Sequence, residues 1–300
     1  MALEEFYQSL QKRDLAPSTV ENYILCLNAN TLPVWKGRKL DSITPEEIRI
    51  FIKDTMGHRS ISHQKNMLKY LRAFFEFVAD IGVIARSPVP KMQFRNISKI
   101  KAVLTEEQVR VLLEKAKLMD HEWYPIWVTA VYTGMRNGEL YALTWDKVDL
   151  DNKKILVSSS WDSKFGFKDL TKSGEDRIVV IAPNLLTLFR ELKIMNSDSV
   201  YVLPRINEWD KGRQAEILRT FLLGINLPRI RFHDLRATWA TIMMSKGVEP
   251  AKVMTMGGWR DLKTMMIYIR KAGINIRGIT DLLDLNNPDR ESAVVLDFQK

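Results

Sequence analysis

Residues 132–140 read YTGMRNGEL and hold the most informative pairing in the chain. Arg136 and Glu139 are three residues apart, so a helix would place them on the same face. Arginine can bind two phosphate oxygens at once, and a neighbouring carboxylate can hold its guanidinium in place. An isolated Arg–Glu pair at this spacing is more commonly a surface ion pair. Other segments of the sequence are therefore needed to distinguish an anion-binding site from a surface ion pair.

Two further segments combine basic residues with groups that suit phosphate chemistry. Residues 231–240 read RFHDLRATWA, which gives His233 for proton transfer and Arg236 for charge stabilisation on one helical face. Residues 256–270 read MGGWRDLKTMMIYIR, where two glycines permit a tight turn before a helix. Tyr268 follows Trp259 by nine residues. Taken singly, these are more commonly a solvated His–Arg pair and a core tyrosine.

Signatures of other chemistries do not occur in the sequence. It contains no GxxxxGK[ST], no GxGxxG after a strand, no HExxH and no GxSxG. The four histidines form no ligand pattern with nearby carboxylates that predicts a metal site. Cys26 is the only cysteine, which excludes a disulfide framework and a thiolate cluster. We therefore expect neither a metal nor another cofactor.

The charge balance predicts a polyanionic partner, although a merely basic protein fits it equally well. There are 45 basic and 36 acidic residues, a net charge of +9. Residues 1–100 carry 15 bases and 10 acids, whereas residues 281–300 carry 2 and 5. The longest uncharged run, residues 22–35, is shorter than the ~18 residues that span a bilayer. We predict a cytoplasmic protein with no membrane partner.

The first part of the chain, residues 1–85, is predicted to be a helical domain. A capping box at Ser18 starts one helix. Thr44, as N-cap before Pro45 at the first helical position, starts another. Apolar residues recur at helical spacing over residues 60–80. Residues 86–104 are predicted to be a linker, since residues 86–101 hold five bases, two prolines and no acid. An ordinary surface loop is the alternative. Candidate contacts with a polyanion are Lys65, Lys69, Arg72, Lys91, Arg95, Lys99 and Lys101.

A second domain is predicted over residues 105–280, starting at a capping box at Thr105. Helices continue to about residue 143 and resume after Pro183. Between them, β-branched runs at residues 155–158 and 177–181 predict a hairpin, and residues 200–203 are a candidate third strand. The predicted fold class is mainly α with a small antiparallel β-sheet.

Together, the three segments resemble the catalytic boxes of the tyrosine recombinase (phage integrase-type) family. Those boxes read T-G-x-R-x-x-E, H-x-x-R and G-(H/W)-x8-Y, and they occur here in the family's order. The resemblance covers essentially the whole chain, with residues 1–85 similar to a SAM-like core-binding domain. The family also has a lysine on a hairpin turn. Lys172 in the segment TKSG matches it, with Lys164 and Lys168 as alternatives.

The resemblance implies strand exchange between DNA duplexes without metal or ATP. Tyr268 would attack a phosphodiester, forming a 3′-phosphotyrosyl link and releasing a 5′-hydroxyl. Arg136 and Arg236 would stabilise charge on the non-bridging oxygens. Lys172 would protonate the leaving oxygen, and His233 would assist proton transfer at the tyrosine.

Two further residues have supporting roles by the same resemblance. Glu139 would orient Arg136 or His233. Trp259 stands where many members of the family have histidine. An indole can donate a hydrogen bond but cannot carry a proton, so packing and a donor contact to phosphate are the roles expected of Trp259.

The partners implied are double-stranded DNA and further copies of the chain, monomeric when free and tetrameric on paired recombination sites. Residues 281–300, with apolar residues near their end, are expected to dock on a neighbouring subunit, or else on their own domain. The family implies a bacterial or phage-encoded protein. Three alternatives remain: a topoisomerase IB-like or telomere-resolving enzyme, a non-catalytic DNA-binding protein on the same scaffold, and an unrelated basic helical protein.

Overall fold

The computed structural model describes residues 2–13, 15–94, 102–168, 176–261 and 266. The chain divides into two compact units, residues 1–100 and 101–300. Each unit has its own hydrophobic core. No helix among the described residues is both long and apolar enough to cross a membrane.

The described part of the first unit is helical. Its helices are α1 (Ala2–Gln11), α2 (Pro17–Trp35), α3 (Pro45–Ile50) and α4 (Ile61–Asp80), with a 3₁₀ turn at Leu40–Ser42 and a π-helical turn at Phe51–Thr55. The apolar face of α4 supplies much of the core, in which Phe6 and Phe75 are fully buried. The core-facing ring of Phe6 lies edge-on to Phe74, with 5.6 Å between ring centres.

Side chains cap helices α3 and α4 of the first unit. Thr44 is the N-cap of α3, as predicted: its hydroxyl accepts from the Glu47 N–H, and the Glu47 carboxylate accepts from the Thr44 N–H. The predicted capping box at Ser18 is wrong. Helix α2 starts two residues earlier than that box implies, because Pro17 occupies the first helical position with its φ already fixed, and Ala16 is the N-cap.

Residues 87–94 lie against the first unit. The Arg72 guanidinium donates to the Pro90 carbonyl over 3.2 Å, and the Lys65 ammonium lies 5.9 Å from the centre of the Phe94 ring. Met92 packs on the hydrophobic core of this unit. The linker over residues 86–104 and the other domain boundaries stay predictions.

The second unit is built around a buried helix. Its described helices are α5 (Glu106–Leu118), α6 (Tyr124–Thr133), α7 (Asn137–Tyr141), α8 (Pro183–Met195), α9 (Asn207–Asp210), α10 (Gln214–Gly224), α11 (Phe232–Ser245) and α12 (Pro250–Gly257). Seven of the ten residues of α6 are buried, so this helix is apolar nearly all round. Helices α5, α8 and α11 pack on it. Thr105 caps α5 through Gln108, as predicted.

Two small antiparallel sheets interrupt these helices. Strands β1 (Val148–Asp149), β2 (Lys154–Val157) and β5 (Arg177–Val180) form one sheet in the order β1-β2-β5. Strands β3 (Ser160–Asp162) and β4 (Gly166–Lys168) form a second hairpin between β2 and β5. The predicted pairing of residues 155–158 with 177–181 is confirmed, with Ile155 opposite Val179. The mainly α fold with a small antiparallel sheet is also confirmed.

The candidate third strand at residues 200–203 is wrong. Within the described residues, Tyr201 makes only an isolated bridge with Thr144, and β1 is the third strand instead. The Ser199 hydroxyl bonds to both the N–H and the carbonyl of Tyr201, which turns the chain locally. Pro204 follows and has no N–H for a sheet ladder.

Candidate active site

The C-terminal end of α12 is the point at which the candidate residues meet. The carbonyls of residues 256–258 each accept a hydrogen bond from a different arginine. Arg177 donates to residue 256, Arg236 to residue 257 and Arg136 to residue 258, over 2.8, 2.5 and 2.9 Å. The unpaired carbonyls at a helix C-terminus carry partial negative charge, which favours cations there. Three guanidinium groups from three distant parts of the chain are thereby fixed around one helix end.

Glycines shape this helix end because no side chain fits. Gly258 ends α12 in the left-handed conformation, with φ +68°. A Cβ on Gly257 would lie 2.1 Å from the Trp259 ring. Gly134 ends α6 with φ +63°, and a Cβ there would lie 2.3 Å from the Trp239 ring. Gly134 also supplies a second carbonyl to Arg236, 2.6 Å from Nη1.

Arg136 and Glu139 are in contact, as their spacing predicts. Arg136 is the N-cap of α7, and its N–H donates to the Glu139 Oε2 over 2.8 Å. Its Nη1 donates to Glu139 Oε1 over 2.7 Å. The Glu139 side chain is 0% exposed and that of Arg136 is 23% exposed. The carboxylate therefore holds the arginine from inside, while the guanidinium reaches the surface.

Arg177 is a member of the site that the sequence analysis did not identify. Its side chain is 6% exposed, and it bonds Glu139 through both terminal nitrogens, over 3.0 and 2.6 Å. Alternation along β5 places residue 177 on the same face as the buried Val179. That periodicity was the available signal, but Ile178 and Val180 are also apolar, so the buried face could not be chosen from the sequence.

Glu139 is ionised despite its burial. Burial raises the pKa of this carboxyl, but the hydrogen bonds and positive charges of Arg177 and Arg136 outweigh it and bring the pKa to about 2. Two guanidiniums and one carboxylate leave this buried group with a net positive charge. That charge suits an anionic ligand.

Arg236 contacts one indole ring and two carbonyls. The residue is 2% exposed. Its guanidinium carbon is 3.8 Å from the centre of the Trp259 ring, a cation–π contact. The Trp259 ring in turn stacks on Trp239. The structure thus gives Trp259 a contact through its ring face.

His233 lies in the first turn of α11, three residues before Arg236. Its side chain is exposed, whereas Arg236 points inward. The turn is held by the Asp234 carboxylate, which accepts from the Arg231 N–H over 3.0 Å. The helix therefore presents an imidazole at the surface one turn from the buried guanidinium.

Several predicted residues lie outside the described residues. These are Tyr268, Lys172, Arg95, Lys99, Lys101 and the segment 281–300. Of the alternatives to Lys172, Lys164 is in the turn between β3 and β4. Lys168 ends β4 with its ammonium 3.9 Å from the Asp162 carboxylate.

The predicted contacts of the first unit differ in exposure. Lys69 and Lys91 are exposed. Lys65 and Arg72 are half-buried and make the contacts with residues 90–94 described above. Within the described ranges, no three His, Cys, Asp or Glu side chains converge in a way that could hold a metal ion.

Three guanidiniums are arranged around one helix end in the second unit, and a cluster of this kind suits an oxyanion ligand. Residues 102–273 match the phage integrase family, and residues 2–83 match the phage integrase N-terminal SAM-like domain. The chain belongs to the phage integrase family.

Comparison with individual proteins agrees with this membership. The chain is 25% identical over 298 residues to tyrosine recombinase XerD of Haemophilus ducreyi, covering 92% of this chain and 95% of the relative. Across the curated relatives, the matched share of the relative's own length varies from 42% to 95%.

Solved structures share the fold. One is the Tn1549 transposon integrase in complex with transposon right end DNA. Its TM-score is 0.77 at 16% identity, over 94% of this chain and 99% of that one. Another is a lambda integrase tetramer bound to a Holliday junction, with a TM-score of 0.72 at 15% identity, over 91% and 78% of the two chains.

Proposed function

We propose that this chain cleaves and rejoins DNA through a covalent link to Tyr268, with Arg136 and Arg236 binding the scissile phosphate. As a member of its family, the chain is a site-specific DNA recombinase, an enzyme that breaks and rejoins DNA. The assignment of residues to steps is the proposal. The observation that carries it is that both guanidiniums are anchored on the consecutive carbonyls of residues 257 and 258.

The anchoring supports a role in transition-state stabilisation. Arg136 is held by Glu139 and the Gly258 carbonyl, and Arg236 by the Gly134 and Gly257 carbonyls. Donors fixed before the reaction need no reorganisation when charge develops on the phosphate, and this is usually a large contribution to catalysis. A guanidinium has five N–H donors in a planar fork. The partly exposed Arg136 can therefore keep its two protein contacts and still donate to a phosphate oxygen.

The chemical step is an exchange of esters. The Tyr268 hydroxyl oxygen attacks phosphorus, the bond from phosphorus to the 5′-oxygen breaks, and the phosphate stays on the 3′ side as a phosphotyrosyl ester. A phenol has a pKa near ~10, so its proton must be removed, and His233 is assigned to assist that transfer. Lys172 donates a proton to the departing 5′-oxygen. A 5′-hydroxyl from a partner duplex reverses the step, so the bond energy is conserved without ATP.

A nicked suicide substrate tests the nucleophile. Wild type should form a covalent protein–DNA adduct on it, and Tyr268→Phe should form none while still binding the DNA. The exchange removes only the hydroxyl, so the ring is kept. Tyr201→Phe is the matched control and should form the adduct like wild type. An adduct with Tyr268→Phe would show that another residue is the nucleophile.

For DNA binding, we infer a clamp in which both units contact the duplex. Support comes from the positive charge of both halves and from the seven basic residues Lys65, Lys69, Arg72, Lys91, Arg95, Lys99 and Lys101. Affinity should fall steeply with salt as counterions are released. The intact chain should also bind more tightly than residues 101–300 alone, because linkage raises the effective concentration. Equal binding after deletion of residues 1–100 would contradict the clamp.

The assembly proposed on paired sites is a tetramer formed from free monomers, in the cytoplasm of a bacterial cell. Residues 281–300 are proposed to join the copies. Their apolar end, residues 293–298, suits an apolar groove of about 860 Å³ in the second unit, lined by Val109, Leu113, Val128 and Ile242. Truncation after residue 287 should spare binding to one half-site and abolish tetramers, measured by light scattering. Normal tetramers from the truncated chain would refute this role.

A topoisomerase is the alternative with the same chemistry. Relaxation of one supercoiled duplex, without joining of two duplexes, would favour it.

A further inference from the structure

We propose that Arg177 is a positioning residue for DNA cleavage, which acts by fixing Glu139 and, through it, Arg136. The inference rests on the proposed function, because it assigns Arg136 to the scissile phosphate. Arg177 donates to the Met256 carbonyl through Nε and to Glu139 through both terminal nitrogens, so its contacts are directed at the protein and it is not expected to touch DNA.

The Arg177 side chain links the end of α12 to Glu139. Its Nε donates to the Met256 carbonyl over 2.8 Å, and its two terminal nitrogens donate to the two oxygens of Glu139. A two-point contact with a carboxylate fixes the plane of that carboxylate as well as its distance. Arg177 therefore sets the direction in which each Glu139 oxygen points.

The orientation of Glu139 determines where Arg136 lies. Oε1 accepts from the Arg136 side chain over 2.7 Å, and Oε2 accepts from the Arg136 N–H over 2.8 Å. The Arg136 guanidinium then continues to the Gly258 carbonyl over 2.9 Å. The path from Arg177 through Glu139 and Arg136 therefore returns to the helix end to which Arg177 is bonded. These hydrogen bonds form a closed ring of contacts, in which each side chain is held at both ends. Removal of the Arg177 side chain would therefore leave Glu139 and Arg136 less firmly held.

Arg177 is also the first residue of β5. In the sequence it follows Lys172, the proposed proton donor, by five residues.

A purely structural ion pair is the competing explanation, and it makes different predictions. Removal of a purely structural ion pair would lower only the fraction of enzyme that is folded. Removal of a positioning residue would lower the cleavage rate of the enzyme that is folded and bound to DNA. The test therefore measures single-turnover cleavage of the nicked substrate against DNA concentration, together with thermal unfolding, on the full chain.

Three variants and one control form the test. Arg177→Met removes all three donors, and Arg177→Lys keeps the charge but cannot make the two-point contact. Arg177→Met with Glu139→Gln also removes the carboxylate, so no titrating carboxyl is left at this position, and Arg177→Lys keeps a charged partner for Glu139 and so a folded protein available if Arg177→Met unfolds. Arg213→Met is the matched control, since Arg213 makes an exposed two-point contact with Glu216 on α10.

The expected result is a loss of about 100-fold in the maximal cleavage rate of Arg177→Met, because a displacement of about 1 Å at a reacting group can cost that much. The DNA concentration for half-maximal rate should change less than threefold. Arg177→Lys should lie between Arg177→Met and wild type. The double variant should not regain rate. Arg213→Met should match wild type in both.

The pH profile gives a readout that a structural pair would not change. The charged groups bonded to Glu139 in the described residues are Arg136 and Arg177, and α12 contributes only carbonyls nearby. Without Arg177, the carboxyl should protonate at a higher pH, so Arg177→Met should lose rate as the pH falls toward 5. The double variant should show no such loss, because glutamine does not titrate.

The outcomes separate this inference from the proposed function. If wild type forms no Tyr268 adduct, the proposed function fails whatever the Arg177 variants do. If wild type cleaves and the Arg177 variants lose rate only in proportion to their unfolded fraction, with an unchanged pH profile, Arg177 is structural and the inference is overturned.

Discussion

The indole rings of Trp239 and Trp259 lie nearly parallel, with 13° between their planes and 6.0 Å between their centres. Each ring covers a glycine that has no room for a Cβ, Gly134 under Trp239 and Gly257 under Trp259. The carbonyls of these two glycines are the ones that accept from Arg236. The stacked pair therefore sets the separation of the two acceptors that hold the buried guanidinium.

This arrangement predicts that the face of Trp259 matters more than its N–H. Trp259→Ala should slow cleavage roughly 5- to 30-fold, since a desolvated cation–π contact contributes about 1–2 kcal/mol. Trp259→Phe keeps an aromatic face and should lose less. Single-turnover cleavage measures both, with Trp145→Phe as the control at a tryptophan that lies under Lys193. Equal losses for Ala and Phe would indicate that the indole N–H is the important group.

Conservative changes at Arg136 and Arg236, the two arginines proposed to bind the phosphate, should strongly reduce the cleavage rate. Arg136→Lys and Arg236→Lys keep the charge, but a lysine cannot bridge two fixed acceptors as each arginine does. Each should slow cleavage by roughly 10²–10³, the usual cost of one oxyanion contact. Arg213→Lys should cleave at the wild-type rate, and EDTA should not change that rate. Losses of only a few-fold would mean that the arginines are structural.

A pair of glycine substitutions separates backbone strain from steric clash. Gly134 and Gly247 both have positive φ, +63° and +78°, so alanine costs each about 1 kcal/mol in conformation. Only at Gly134 would the new Cβ meet a ring, whereas nothing lies within 4 Å of that position at Gly247. Gly134→Ala should therefore lower the free energy of unfolding by about 1–3 kcal/mol more than Gly247→Ala. Urea unfolding measures this difference, and equal losses would contradict the packing described.

The pKa of Glu139 predicts a pH-dependent contribution to stability. A carboxyl whose pKa is lowered from 4.5 to about 2 stabilises the fold above pH 4.5 and loses this contribution as the pH falls toward 2. The difference in unfolding free energy between wild type and Glu139→Gln should therefore be constant above pH 4.5 and shrink below it. The exposed Glu191→Gln on α8 is the control. A difference that does not change with pH would mean that the pKa of Glu139 is the same in the folded and unfolded states.

Local signals in the sequence predicted those features that depend on neighbouring residues. Thr44 and Thr105 were identified as N-caps because capping needs only a hydroxyl and an acceptor three residues later. Ser18 has the same pattern, yet Pro17 starts the helix before it. Two local rules competed there, and the fixed φ of proline outweighed the hydroxyl.

Contacts between distant parts of the chain were harder to predict. The three boxes identified Arg136 and Arg236, but not the carbonyls that hold them, because a carbonyl has no sequence signature. Arg177 was missed because its strand is apolar on both faces apart from this one residue. Its importance comes from Glu139, 38 residues earlier in the chain, and only the folded structure brings the two together. The roles of Tyr268 and Lys172 stay predictions.

The three carbonyls at the end of α12 have a consequence for synthesis of the protein. They bind arginines that lie 122, 79 and 21 residues earlier in the chain. A ribosome therefore completes all three arginines before it makes the helix end that assembles them. We expect a nascent chain to carry the basic residues that attract DNA but no organised centre for cutting it. Cleavage of DNA should therefore require a chain that has been synthesised at least through the end of α12, so shorter unfinished copies should bind DNA without cutting it.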